Sequence, residues 1–305
     1  RRMARLEYAL RIPSVQPAGP AALRAFVTRA EELGFSSIWA GDHVFSGVDV
    51  LQPVHLLTWV AALTTRVRLG TAVMLSSYLN PVLLAKAAAT LDCLSGGRLI
   101  LGMSIGGTPA EYSSIGVPIE QRVGRLIESI EIMRLLWRED GVNFEGRYNQ
   151  IAEGTINPRP VQSGGIPIYL GGIRAPMLRR VARVADGWIA PSSNVDQFLA
   201  GVDTILAAAM QRGRDPASLA FAKLQNVSVA PTPAEARDQG EQHWRAYYGP
   251  NFNIDAATIY GTPDECKRKL AAFTAAACDQ VTVIMEPAGL SLDQLELLAA
   301  ITVLR

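Results

Sequence analysis

Eight times along this chain a short apolar run of strand length gives way to a segment with helical periodicity, and this alternation constrains the fold more tightly than any other feature. The strand-like runs fall near residues 5–12, 36–40, 67–74, 98–104, 166–170, 187–190, 221–229 and 280–285. They are short and apolar, as expected of strands covered on both faces. Helical stretches follow at 20–33, 53–63, 81–94, 120–138, 175–184, 194–212, 233–246 and 263–276, with a last one at 291–303. Pro20 and Gly34 bracket the first of them, where proline starts and glycine stops a helix. Eight β-then-α units predict an α/β fold, a (β/α)8 TIM barrel with loop insertions, rather than a Rossmann sheet, which usually needs fewer strands. The 305 residues fit one such barrel, and no Pro/Ser-rich linker or charge block divides them, so a single domain over 1–305 is expected. Two longer breaks, 139–165 with the hairpin-like VNFEGRYNQ and 247–262 rich in Gly, Asn and Tyr, are of the kind that shape or cover a site.

Composition removes several functional classes. Hydrophobic residues make up 49% and charged residues 19%, enough to bury a large core. The 29 basic and 28 acidic residues leave a formal charge of +1, without the basic excess of a nucleic-acid partner. No apolar run reaches the ~20 residues of a membrane helix, so no membrane partner is expected. RRMARLEYALRIP is basic but lacks the sustained apolar segment of a signal peptide. Cys93, Cys266 and Cys278 are widely spaced and form no CxxC pair, which argues against metal and disulfide frameworks and for a cytoplasmic location.

In a TIM barrel, chemistry sits at the C-terminal ends of the strands and in the loops that follow. The second run leads into Gly41-Asp42-His43, and the third ends near Ala72-Val73 before Ser76, Ser77 and Tyr78. The fourth ends in Ile105-Gly106-Gly107-Thr108, the fifth in Gly171-Gly172, the sixth in Pro191-Ser192-Ser193, the seventh in Asn226 and the eighth in Glu286-Pro287. His43 is one of three histidines and follows an acid directly after a strand. Such a histidine exchanges protons near neutral pH while the neighbouring carboxylate fixes its orientation. From the pair alone, Asp42 capping a turn with His43 packed beside it is the plainer reading; the position on the rim favours a functional role. His55 and His243 read as structural.

The segment IYLGGIRAPMLRRVARVADGW, 168–188, ends a strand in two glycines and opens a helix near Ala175-Pro176. Glycine lets a ligand approach the backbone, and a helix N-terminus offers free N–H groups that suit a phosphate. A simple tight turn is the plainer alternative for the two glycines. GMSIGG, 102–107, lacks the downstream acid of a dinucleotide fingerprint. No G-x-S-x-G elbow or His-rich metal cluster appears, so no metal site is expected.

The stretches EELGFSSIWAGDHV, TTRVRLGTAVMLSSYLNPVLLAKAAATLDCLSGGRLILGMSIGG and IPIYLGGIRAPMLRRVARVADGW resemble the luciferase-like monooxygenase family, closest to its branch that uses the deazaflavin coenzyme F-420. The pattern covers most of residues 5–190. The resemblance implies a bacterial-luciferase-like barrel with Asp42 and His43 at the deazaflavin ring and His43 as the proton-transfer group. It implies a non-proline cis peptide at Ala72–Val73 supporting the ring, and Ile105 and Gly106 on the ring and phosphate side. Gly171, Gly172, Ala175, Pro176 and Met177 match the family's phosphate site. F-420-dependent sugar-phosphate dehydrogenases place a catalytic glutamate after strand 4; here Gly107 stands there, with Glu111 nearby, which argues against that reaction.

The implied activity is an oxidoreductase transferring a hydride between F-420 and a small organic substrate. Tyr78, Phe45, Trp188 or the 247–260 segment would shape the pocket. An FMN-dependent monooxygenase is the first alternative and a non-catalytic flavin- or deazaflavin-binding protein the second. Dimers are common in the resembled family, so a homodimer is among its implications.

Overall fold

The structure, a computed structural model, describes residues 3–14 and 19–302. Eight parallel strands close into a barrel: β1 Arg5–Arg11, β2 Ser37–Ala40, β3 Arg68–Thr71, β4 Leu99–Ser104, β5 Ile168–Gly171, β6 Gly187–Ala190, β7 Ala220–Val229 and β8 Gln280–Pro287. Each pairs with the next, and β8 returns to β1 with Arg5 opposite Gln280 and Leu10 opposite Met285. One residue from each strand or its immediate end fills a layer inside: Ala9, Trp39, Ala72, Ile100, Tyr169, Ile189, Ala222 and Ile284. The alternating outward residues join the helices in a larger core, which is why the strands read as continuously apolar.

The connecting helices begin where the sequence places start signals. Asn80 caps Pro81–Ser95 by accepting from the N–H groups of Val82 and Leu83, and Gly96 closes that helix at φ +67°. The VNFEGRYNQ segment does form a hairpin, Val142–Glu145 with Gln150–Gly154. Its turn is held from the neighbouring helix by Glu128, which accepts from the N–H groups of Arg147 and Tyr148 and from Asn149 Nδ2.

Three features depart from the expected map. The third strand run is interrupted: β3 ends at Thr71, the Ala72–Val73 peptide is cis, and Met74–Leu75 then pairs with β4. A short helix, Pro109–Ile115, follows β4 where no helix was expected. Within 247–262, Thr258–Gly261 forms a strand that pairs with β7 outside the closed barrel. Both added elements are too short for periodicity to reveal them. All three lie at the C-terminal end of the barrel and give the rim its shape.

Candidate active site

His43 sits just past β2, one-third exposed, with Nδ1 3.5 Å from Oε1 of Glu111. Glu111 is fully buried and anchors two loops at once. Its Oε1 accepts from the N–H groups of Val44 (2.9 Å) and Phe45 (3.2 Å), and its Oε2 accepts from Thr108 N–H at 2.7 Å. Thr108 and Glu111 form a capping box at the start of helix Pro109–Ile115, so the same carboxylate begins a helix and fixes the histidine loop. Burial works against its charge, but the N–H groups of Thr108, Phe45 and Val44 outweigh that and hold the carboxyl below its ordinary range.

Asp42 does not turn toward Glu111. Its Oδ2 accepts from Leu75 N–H at 3.0 Å, tying the β2 end to the segment that follows the cis peptide. Burial pushes its carboxyl up, the nearby Glu111 charge adds to this, and Leu75 N–H and His43 oppose it. Asp42, His43, Ala72 and Val73 are thus brought together by two carboxylates.

On the other side of the rim, Gly171 packs on Val73, since a Cβ built at 171 would lie 2.9 Å from Val73 Cγ1. Gly172 follows at φ +129°, open to glycine and strained for other residues, and its carbonyl accepts from Trp188 Nε1 at 2.7 Å. Helix Ala175–Val184 begins immediately after, with Arg174 at its N-cap and no side-chain cap. Ala175 and Pro176 are exposed. Met177 turns into the core, and its N–H donates to Arg174 O at 2.8 Å. Ile105 and Gly106 follow β4; Gly106 N–H donates to Ser104 Oγ, and Ile105 O accepts from Tyr112 OH.

The expected pocket-lining residues divide. Tyr78 is buried edge-on to Tyr112, and Phe45 is half exposed. Trp188 is not at the pocket: it is fully buried on the outer side of β6, stacked on Phe198, and acts through its indole N–H on the Gly172 carbonyl. Alternation explains this, because Ile189 is the inward residue of that strand. From the 247–260 segment, Tyr247 approaches the His43 ring edge-on at 6.2 Å.

Two rim residues have roles that the sequence does not assign them. Glu111 carries a readable signal, Thr108-x-x-Glu111, the capping-box spacing. Arg11, at the end of β1, carries none; it forms a buried ion pair with Glu286 at the end of β8. Burial works against its charge, but Glu286 outweighs this and raises the guanidinium pKa above its ordinary value. The guanidinium lies so close to Gly41 that no Cβ fits there.

A cavity of about 740 Å³ opens at the opposite, N-terminal end of the barrel, lined by Glu7, Arg68 and Gln280 beneath Trp39 and Tyr169. It lies across the filled lumen from His43, at the end where TIM barrels carry stability rather than chemistry. Among the described residues, no group of three or more His, Cys, Asp or Glu could hold a metal, and Cys93, Cys266 and Cys278 are free. No helix among them is long and apolar enough to cross a membrane.

This barrel, with a cis peptide after its third strand and a histidine-bearing loop beside it, defines a class. The chain belongs to the luciferase-like monooxygenase family, whose pattern it matches over residues 8–250. It is 37% identical over 187 residues to an F-420-dependent glucose-6-phosphate dehydrogenase of Kineococcus radiotolerans, covering 59% of this chain and 55% of that protein. A dehydrogenase of the same name from Intrasporangium calvum is 35% identical over 212 residues, covering 62% of this chain and 61% of the relative. The chain thus spans little more than half the length of these relatives. Among solved structures, a monooxygenase of Streptomyces bottropensis superposes with a TM-score of 0.81 at 26% identity, covering 96% of this chain and 98% of the other. An F-420-dependent secondary alcohol dehydrogenase superposes at 0.84 with 17% identity, covering 99% and 98%, a likeness of fold alone.

Proposed function

We propose that this chain is an oxidoreductase that transfers a hydride between coenzyme F-420 and a small organic substrate, with His43 handling the accompanying proton. The observation that carries this reading is the mounting of His43. Its Nδ1 faces a fully buried carboxylate held in its charged form by three backbone N–H groups, while one-third of its side chain is open to the rim. Glu111 so placed orients the ring through Nδ1, leaving Nε2 to exchange a proton with a substrate oxygen.

The residues present fit the cofactor. Ser76 Oγ and Tyr78 OH, just past the Ala72–Val73 bond, are buried without hydrogen-bond partners, as suits the polar edge of a ring. Gly171, Gly172 and the uncapped start of helix Ala175–Val184 suit its phosphate. Asp42, His43, Ala72, Val73, Ile105 and Gly106 would flank the ring, and Gly171, Gly172, Ala175, Pro176 and Met177 the phosphate. Bound, the deazaflavin supplies the two-electron chemistry; the protein supplies position and proton transfer. The kinship to F-420-dependent dehydrogenases supports the same choice.

The test is fluorescence-quenching titration of the purified protein with F-420 and, separately, FMN. Saturable binding of F-420 in preference to FMN is expected. Preference for FMN would move the chain to FMN-dependent monooxygenation. F-420 that binds but is reduced by no donor would make it a carrier, and binding of neither would overturn the phosphate site at Gly171-Gly172.

A further inference from the structure

Three residues at the ends of β7, β8 and β1 form a row that the hydride transfer itself leaves unused. Asn226 lies opposite Glu286 across β7 and β8, and the pairing of Leu10 with Met285 brings Arg11 beside Glu286. Arg11 is 5% exposed, Glu286 1% and Asn226 0%. Arg11 and Glu286 neutralise each other within the barrel, and the second oxygen of Glu286 accepts from Ser14 N–H at 3.1 Å. Ala222 and Leu224 face the lumen, so strand alternation puts Asn226 on the same face. Its Oδ1 takes only a long contact from Ser192 Oγ at 3.5 Å, and its Nδ2 has no partner among the described residues. A buried donor without an acceptor costs free energy that a bound oxygen would recover.

Resting on the proposed hydride transfer, we infer that the substrate is an uncharged oxygen-bearing compound with an apolar or aromatic flank, an alcohol or the carbonyl compound it becomes, and not a phosphate ester. Asn226 Nδ2 donates to the substrate oxygen, and the edge-on ring of Tyr247 beside His43 walls the flank. In the oxidising direction the carbinol C–H bond would break with its electron pair, the bound oxidised deazaflavin being the group that would supply the hydride acceptor. The O–H proton passes to His43 Nε2 and the C=O bond forms. A phosphate dianion stripped of water needs charge-assisted donors, either a free cation or a helix N-terminus such as the one proposed for the cofactor. Among the described residues, the ends of β1, β2, β7 and β8 offer only Arg11 besides His43, and Arg11 is already neutralised.

The test uses protein loaded with F-420 and three probes: 1-phenylethanol, acetophenone and glucose 6-phosphate. Saturation-transfer NMR reports binding, and cofactor absorbance reports turnover. The two neutral probes are expected to bind more tightly than glucose 6-phosphate by roughly a hundredfold or more, with 1-phenylethanol, and not glucose 6-phosphate, reducing the cofactor. Comparable or tighter binding of glucose 6-phosphate, or no binding of either neutral probe, overturns the inference while leaving the hydride-transfer reading intact. Failure of F-420 to bind in the preceding titration is the separate result that removes both. Asn226→Leu should raise KM for 1-phenylethanol roughly tenfold with F-420 affinity unchanged, and Asn226→Ser, which keeps a donor, should recover part of the loss. An unchanged KM in Asn226→Leu overturns the assignment of Asn226.

Discussion

The strand ends of this barrel divide into two arcs of opposite chemistry. From β3 to β5 the chain presents Gly102, Gly106, Gly107, Gly171 and Gly172 around a cis peptide, and the strand ends themselves carry no ionisable group. From β7 through β8 and β1 to β2 it presents Asn226, Glu286, Arg11, Asp42 and His43, most of them buried. One arc works by the absence of side chains and leaves backbone to a ligand. The other works by side chains that hold one another: Glu286 neutralises Arg11, and Glu111 faces His43. The contrast divides labour in the proposed reaction, with the cofactor's phosphate and most of its ring cradle on the bare arc, and the substrate and its proton on the charged one, where Asp42 and His43 also flank the ring. If the division is right, damage to the two arcs should separate binding from turnover.

The largest effect belongs to the charged arc. His43→Ala should lower kcat by roughly 10²- to 10⁴-fold, the usual contribution of a general acid or base, while F-420 affinity stays within about twofold. Stopped-flow measurement of cofactor reduction beside a binding titration checks both quantities. Turnover near wild type would remove His43 from the chemistry and break the comparison at its centre.

The bare arc should fail in the opposite way. An alanine at Gly171 puts a methyl group 2.9 Å from Val73 Cγ1, so either β5 or the residue after the cis bond must shift. Overpacking of this kind costs about 1–3 kcal/mol. Because the displaced backbone is the proposed cofactor cradle, Gly171→Ala should weaken F-420 binding about ten- to a hundredfold, with kcat at saturating cofactor changed less than threefold. A drop in kcat with unaltered affinity would mean that Gly171 lies on the wrong side of the division.

The two arcs also differ in how far the sequence discloses them. The barrel is legible because its signals are local: eight apolar runs, with observed strand bounds within about two residues of those expected apart from the break after Thr71. Glycine pairs at strand ends are local too, and Gly171-Gly172 before a helix start is visible as written. The charged arc depends on contacts that no local pattern holds. Arg11 meets Glu286 across 275 positions, and only barrel closure brings β8 back to β1. Glu111 shows the intermediate case. Its capping-box spacing announces a helix start, but its second role, gripping Val44 and Phe45 from 67 and 66 positions away, follows from the packing of two loops. Trp188 was misplaced for a simpler reason: one step of strand alternation decides whether an aromatic residue faces the pocket or the helices.

The smallest predicted effect asks whether the charged arc carries a stability cost that the bare one avoids. Lys223 lies on β7 beneath Asn226, on the outer face, fully buried. Its Nζ donates to the carbonyls of Pro191 and Leu224 at 2.8 and 2.7 Å and lies 5.9 Å from the Phe273 ring centroid. Among the described residues no carboxylate offsets its burial, which pulls the ammonium pKa down to about 7. A folded-state pKa below the unfolded value means that, between the two, the unfolded chain binds the extra proton. Stability therefore rises with pH from about 7 toward the ordinary lysine range near 10.5 and is lost as pH falls back. The rise is at most about 1.4 kcal/mol per pH unit. Lys223→Met should flatten that share of the slope between pH 7 and pH 9, measured by urea unfolding of both proteins at each pH. Parallel slopes in the two proteins would show that Lys223 stays charged when folded, and that this side of the barrel tolerates buried charge more readily than its surroundings suggest.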